Sequence, residues 1–252
     1  MVSGGCRSVD RWFWDFIPGW RLRWAGLRDD GDDVIRTGVD RFVYERELLH
    51  RGMARIAGVD EAGRGPLAGP VVAAAVVFSV EWIRNGIPVE FQELNDSKQL
   101  TESQREAYFE RLRVHPDVRF CVAEAPPAEI DSLNILRATH RAMNLALAGL
   151  DVIPDHVLVD GLPVKSMRLP HTALVKGDAL SYSIAAASVM AKVTRDRGMI
   201  AADLRWPEYG FARHKGYPTP EHLAAVARLG PCPIHRRSFA PLRRPEPELF
   251  LS

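Results

Sequence analysis

The sequence has no long uninterrupted apolar run. Its longest mainly apolar stretch, Pro66 to Val80, is broken by Gly69 and Pro70 and falls short of the roughly 20 residues that span a bilayer. Cysteine is scarce. Cys6, Cys121 and Cys232 lie far apart with no C-x-x-C pair, which leaves neither a disulfide framework nor zinc-ligand spacing. The N-terminus lacks a basic start followed by an apolar segment. Residues 1–26 instead hold Asp10, Asp15, Pro18 and four tryptophans, unlike a secretory signal. There is no internal repeat and no low-complexity block. A cytoplasmic protein with no membrane association is therefore expected.

What is present is ordinary in bulk and uneven in detail. Charged residues make up 26% and apolar ones 46% of 252 residues, as in a soluble globular chain with one large domain or a core plus a small unit. The formal charge is only +1, yet Lys192 to Arg244 carries eleven Lys or Arg against four Asp or Glu, a net of +7. Residues 1–50 carry eight against nine. A basic C-terminal third suggests a polyanionic partner, although basic faces are more often simply solvated. Residues 1–38 stand apart, with Trp12-Phe13-Trp14, the break Pro18-Gly19 and the acidic turn Asp29-Asp30-Gly31-Asp32-Asp33. Tryptophans among arginines could dock on a partner or a membrane surface. A translation start downstream explains the segment equally well. The expected organisation is an extension over 1–38, one unit over 39–245 and a frayed tail over 246–252.

Along that unit, a helix is predicted from Asp40 to Arg51, stopped by Gly52. Short apolar runs bounded by Gly and Pro predict strands at Arg55 to Asp60, Val71 to Phe78, Val118 to Ala123, His156 to Asp160 and Thr172 to Val175. Thr101 with Gln104 forms a capping box before a helix. Pro126-Pro127 opens one long helix toward Leu150. Helical spacing from Tyr182 through Ala186, Val189, Val193 and Ile200 runs from Gly177 to a stop at Pro207, and Thr219-Pro220-Glu221 starts a last helix ending at Gly230. That order predicts an α/β fold: a mixed central sheet flanked by helices, with a helical C-terminal unit.

Four acids lie at the edges of these elements: Asp60, Glu61, Asp160 and Asp178. Singly, each is better explained as a turn or cap residue. Together they suggest more, because Asp60 and Asp160 both close short apolar runs, and strand ends in helix-covered sheets are where sites form. Carboxylates gathered there repel one another unless a cation neutralises them, and hard divalent ions with oxygen ligands do so. One difficulty is local. Successive residues of a regular strand point to opposite faces, so the strand must end or twist if Asp60 and Glu61 are to share a site. Directly after them, Gly63-Arg64-Gly65 allows close backbone approach to a sugar or phosphate; alone, it reads better as a flexible turn with a surface arginine, and beside two candidate metal ligands the two readings are even.

Several blocks then resemble one family in series. Gly58 to Ala75 (GVDEAGRGPLAGPVVAAA), Asn95-Asp96-Ser97-Lys98, Glu129-Ile130-Asp131, Leu133-Asn134-Ile135, Val159-Asp160-Gly161 and Lys176-Gly177-Asp178 are similar to bacterial ribonuclease HII. So are Ala185 to Asp196 (AAASVMAKVTRD), Tyr209-Gly210-Phe211, His214 to Thr219 (HKGYPT) and His235 to Phe239 (HRRSF). The resemblance implies an RNase H-like fold, with Asp60, Glu61, Asp160 and Asp178 as catalytic acids holding Mg²⁺ or Mn²⁺. It implies that Gly63, Arg64 and Gly65 contact a ribose 2′-hydroxyl, that Tyr217 reads the junction with the following deoxynucleotide, and that Ser97 and Lys98 hold phosphates. From residues alone, Tyr217 reads as readily as an aromatic plug. The implied partners are RNA–DNA hybrids and ribonucleotide-containing DNA, in replication and repair, with the chain acting as a monomer. The eight histidines read as surface, core or phosphate-contact residues, with His235 the one singled out. The competing readings are a DNA junction resolvase, which would lack a use for Gly63-Arg64-Gly65 and Tyr217, a non-catalytic hybrid-binding module, and a glycosidase, which would leave the basic third without purpose.

Overall fold

The computed structural model describes residues 40–243; the expectations for residues 1–38 and 246–252 lie outside them. Five strands form one sheet: β1 (Ile56–Ala62), β2 (Val71–Phe78), β3 (Val118–Ala125), β4 (His156–Asp160) and β5 (His171–Leu174), in the order β3-β2-β1-β4-β5. The sheet is mixed. β1, β2 and β3 pair antiparallel, whereas β4 runs parallel to both β1 and β5.

The helices are α1 (Val43–His50), α2 (Val80–Asn85), α3 (Glu102–Val114), α4 (Pro127–Leu133), α5 (Ile135–Ala148), α6 (Gly177–Leu180), α7 (Tyr182–Arg205), α8 (Phe211–His214) and α9 (Pro220–Leu229). β2 is apolar and buried throughout because both its faces are covered. Val72, Ala74, Val76 and Phe78 join the cluster that holds Ile184, Val189 and Val193 of α7, while Val71, Ala73, Ala75 and Val77 pack with Ala142, Met143 and Ala146 of α5. The period-two alternation of a strand thus serves two helical layers at once. Helix α7 lies so close to the sheet that a Cβ on Gly58 would fall 2.1 Å from the backbone carbon of Ser183. A third cluster, with Tyr209, Phe211, Ala225 and Cys232, is the core of the helical C-terminal unit.

Two differences from the sequence reading have physical causes. The long helix expected from Pro127 is two helices, because Asn134 adopts φ 71° and its side-chain oxygen accepts the Arg137 N–H at 3.1 Å. The helix expected from Gly177 is interrupted at Ser181, which is extended and caps α7 by accepting the Ile184 N–H. The caps at Thr101 and Thr219 are as the sequence indicates.

Candidate active site

The parallel ladder between β1 and β4 ends at the pair Val59 and Val159. Asp60 and Asp160 each follow that last pair by one residue. Both keep the pleat phase of residues facing α7, since Leu158 packs in that cluster and Gly58 touches its backbone. Adjacent strands lie roughly 4.8 Å apart, so this register sets two carboxylates side by side at the carboxyl ends of two parallel strands. Asp60 is buried, and its pKa is driven well above the ordinary carboxylate range by burial, then by Glu61 and Asp160.

β1 does not end at Asp60. Its pairing with β2 continues through Glu61 and Ala62, so the pleat turns Glu61 away from the face that Asp60 shares with α7. Glu61 meets Arg64 Nη1 at 3.2 Å. Burial raises it; Arg64 opposes that, and Asp160 raises it further. Asp178 occupies the first turn of α6 and does not cap a helix; the N-cap there is Lys176. The adjacent Gly177 N–H donates to Asp160 Oδ1 at 2.7 Å, which ties α6 to the end of β4. Asp178 is pushed up to about 6 by burial, then by Asp96 and Asp160.

The charge of Asp160 thus acts on each of the other three predicted acids. Among the described residues, however, no group of three or more Asp, Glu, His or Cys stands arranged to hold a metal ion. Glu61 on the opposite pleat is one reason. The chemistry of the donor set fits hard cations: every candidate ligand is a carboxylate oxygen, and the raised pKa values of Asp60, Glu61 and Asp178 are the strain a divalent ion would relieve.

Two residues at this site escaped the sequence reading. Asp96 shares a hydrogen bond with Asp178 and accepts the Lys98 N–H at 2.8 Å. Ser188, on α7, is hydrogen-bonded to Asp60 and lies 2.9 Å from the buried Ser97 hydroxyl. Ser97, an expected phosphate contact, is buried beside α7. Lys98 stays exposed among the acids. Burial works against its charge, but Asp96, Asp60, Asp178 and Asp160 together raise its pKa. Asp96 was visible in Asn95-Asp96-Ser97-Lys98 as one more acid; Ser188 carried no signal beyond its place in α7.

The loop after Glu61 is held from below. Gly63 has φ 93°, and a Cβ there would meet Arg195 Nε at 2.0 Å, so only glycine fits. Arg236 is fully buried. Its guanidinium donates to the carbonyls of Gly69 (2.9 Å), Arg64 (2.9 Å), Gly63 (2.5 Å) and Pro70 (3.1 Å). Arg195, 2% exposed, donates to Pro70 and Ala68 carbonyls, each at 3.0 Å. Tyr217 is 42% exposed, with its ring beside Gly65 and the Arg195 guanidinium 6.0 Å from its centre. The structure thus brings Gly65 and Tyr217 to one surface, with Gly63 buried beneath it against Arg195. It also corrects the charge count: two arginines of the basic third are interior, and Lys192, Arg197 and Arg213 are paired with acids.

His235 is not placed to meet a phosphate. It is buried, with Nδ1 3.0 Å from the Cys232 N–H nitrogen and Nε2 3.0 Å from His222 Nε2. His222 Nδ1 lies 2.9 Å from the Tyr217 carbonyl. A carbonyl only accepts, so His222 must carry its proton on Nδ1. His235 then donates from Nε2 and accepts at Nδ1. Burial and the facing His222 push His235 down to about 4, consistent with this neutral relay.

Residues 57–242 match the family described as Ribonuclease HII. Ribonuclease HII of Geobacillus thermodenitrificans (strain NG80-2) is 49% identical over 239 residues, covering 88% of this chain and 89% of its own. That of Geobacillus kaustophilus (strain HTA426) is 54% identical over 239 residues, covering 88% of each. The crystal structure of ribonuclease H2 from Pyrococcus horikoshii OT3 superposes with a TM-score of 0.63 at 31% identity, covering 75% of this chain and 95% of the other.

Proposed function

Given that the chain belongs to the ribonuclease HII family, we propose that it cuts the RNA strand of RNA–DNA hybrids and incises duplex DNA 5′ of embedded ribonucleotides. The chain is a ribonuclease H, an endonucleolytic hydrolase. The observation that carries the finer reading is the adjacency of Asp60 and Asp160 beyond the last β1–β4 pair, next to a loop whose carbonyls are drawn inward.

Hydrolysis joins a water oxygen to phosphorus and breaks the bond from phosphorus to the upstream O3′. The products are a 3′-hydroxyl, which takes up a proton, and a 5′-phosphate. Asp60, Glu61, Asp160 and Asp178 would hold two divalent cations, Mg²⁺ or Mn²⁺, whose chemistry is to lower the pKa of water and to stabilise charge on the attacking and leaving oxygens. Ser188 holds the Asp60 carboxylate in place. Lys98 brings a positive charge to the same cleft, suited to a phosphate oxygen. Gly65 presents bare backbone to the sugar, and Tyr217 offers a flat surface beside it, worth roughly 1–3 kcal/mol where a ring stacks on a base.

Preference for RNA follows from unpaired polar groups. A site built around a 2′-hydroxyl loses about 1–3 kcal/mol for each buried partner left empty by deoxyribose. The unit over 39–245 would act as a monomer in the cytoplasm. The test uses end-labelled duplexes with none, one or several ribonucleotides, with Mg²⁺, with Mn²⁺ or with EDTA. Cuts should map 5′ of ribonucleotides, leave 5′-phosphates and vanish with chelator. Cutting of the all-DNA duplex would favour a junction nuclease, and chelator-insensitive binding without products a non-catalytic module.

A further inference from the structure

Two positive charges lie under the Gly63–Pro70 loop with no acid bonded to either. Every hydrogen bond recorded for the Arg236 and Arg195 side chains ends on a backbone carbonyl: those of Gly63, Arg64, Gly69 and Pro70 for the first, and of Ala68 and Pro70 for the second. Arg195 Nη1 is buried with no partner at all. Arg236 is lowered to about 9 by burial and then by Arg195, only partly opposed by Tyr217 and Asp131, and burial lowers Arg195 against Tyr217 and Asp196. Buried charge of one sign is costly unless something balances it. Apolar side chains would fill the same volume without that cost, so the pair is a poor choice for packing alone.

The loop it holds leaves donors free. Among the described residues no acceptor takes the N–H of Arg64 or of Gly65, whereas Leu67 and Gly69 donate to Gly216 and Ile234 carbonyls. We propose that Arg195 and Arg236 are positioning residues that hold this loop in its substrate-receiving form by drawing its carbonyls inward, and that a phosphodiester of the bound duplex adds to the partial counter-charge that Asp196 and Asp131 give them through space. The pair acts from beneath the loop without touching the nucleic acid. Its attraction is realised only when a phosphate arrives, so it favours the complex over the free chain. This rests on the reading of the loop as the ribonucleotide-binding surface.

The test measures binding, not turnover. In an Asp60→Asn parent with EDTA present, fluorescence anisotropy compares a DNA duplex carrying one ribonucleotide with its all-DNA twin over a range of salt. Arg236→Met should cut the preference for the ribonucleotide duplex about tenfold, the equivalent of losing one hydrogen bond of ~1.4 kcal/mol. It should also flatten the salt dependence by about one phosphate contact. Arg236→Lys keeps the charge but cannot fork to four carbonyls, so it should lose preference while keeping the salt slope. A pair that merely supports the fold would lower both affinities in proportion and leave their ratio unchanged. An unchanged ratio in either folded variant overturns the proposal. If Arg236→Met does not fold, Arg236→Lys decides alone. A parent with no preference for the ribonucleotide would defeat the functional reading beneath it instead.

Discussion

Asp60 is a residue placed against its own stability. Burial, Glu61 and Asp160 all penalise its charge, and relief comes only from the Ser188 hydroxyl and the Glu61 N–H. Asp60→Asn should therefore raise the melting temperature in EDTA at pH 8 by a few degrees, about 2–4 °C per kcal/mol for a chain of this size, while cleavage drops at least about a hundredfold. Thermal unfolding beside the duplex assay checks both, and a less stable variant would make the carboxylate part of the architecture. Asp60 and Asp160 were legible in the sequence because each ends an apolar run long enough to be a buried strand. Arg195 and Arg236 were not, for a physical reason: a guanidinium in a basic segment reads as solvated until the fold shows six carbonyl contacts around the two of them. Ser188 is similar, since a serine inside a helix says nothing of what faces it across the core.

Among elements, the break between α4 and α5 is held by one side chain with two duties. Asn134 tolerates φ 71° and caps α5. Asn134→Gly keeps the backbone freedom and should cost only a few tenths of a kcal/mol. Asn134→Ala loses both and should cost about 1–2 kcal/mol, read from urea midpoints. The sequence hid this break because neither proline nor glycine intervenes between Leu133 and Ile135; the Thr101 and Thr219 caps were legible because their hydrogen bonds are purely local. β3 carries a different strain. Glu124, paired across from Val72, is raised to about 7 by burial. The folded state thus binds a proton that the unfolded state has released between about pH 4.5 and 7, so stability falls as pH rises through that window. Glu124→Gln should raise the melting temperature at pH 8 and change it little at pH 4. Equal effects at both pH values would mean that the acid is not protonated by its surroundings.

Over the whole molecule, the helical C-terminal unit is joined to the sheet domain by few but specific bonds. Asp131 accepts the Arg237 N–H and the Ser238 N–H, each at 2.9 Å, and the Ser238 hydroxyl at 2.6 Å. The unit's core includes the neutral relay of His222 and His235. For His235 the sign runs opposite to Glu124: its folded pKa of about 4 lies below the ordinary 6.5, so the unfolded chain takes the proton first and stability is lost as pH falls from about 6.5 toward 4. Hydrogen exchange at pH 5 should be faster relative to pH 8 over Tyr209 to Ile234 than over β1 and β2, after correction for intrinsic rates. His235→Gln should reduce that difference. The general layout of sheet and helices followed from hydrophobic period and caps, whereas the docking of this unit depends on contacts across more than a hundred residues and left no local trace. The bridge between Ala68 and His235, with Arg236 N–H on the Leu67 carbonyl, has a temporal corollary. A ribosome completes Gly63 to Gly65 some 170 residues before the arginine that braces them. A nascent chain therefore carries this turn unbraced until Arg236 has been made and folded beneath it.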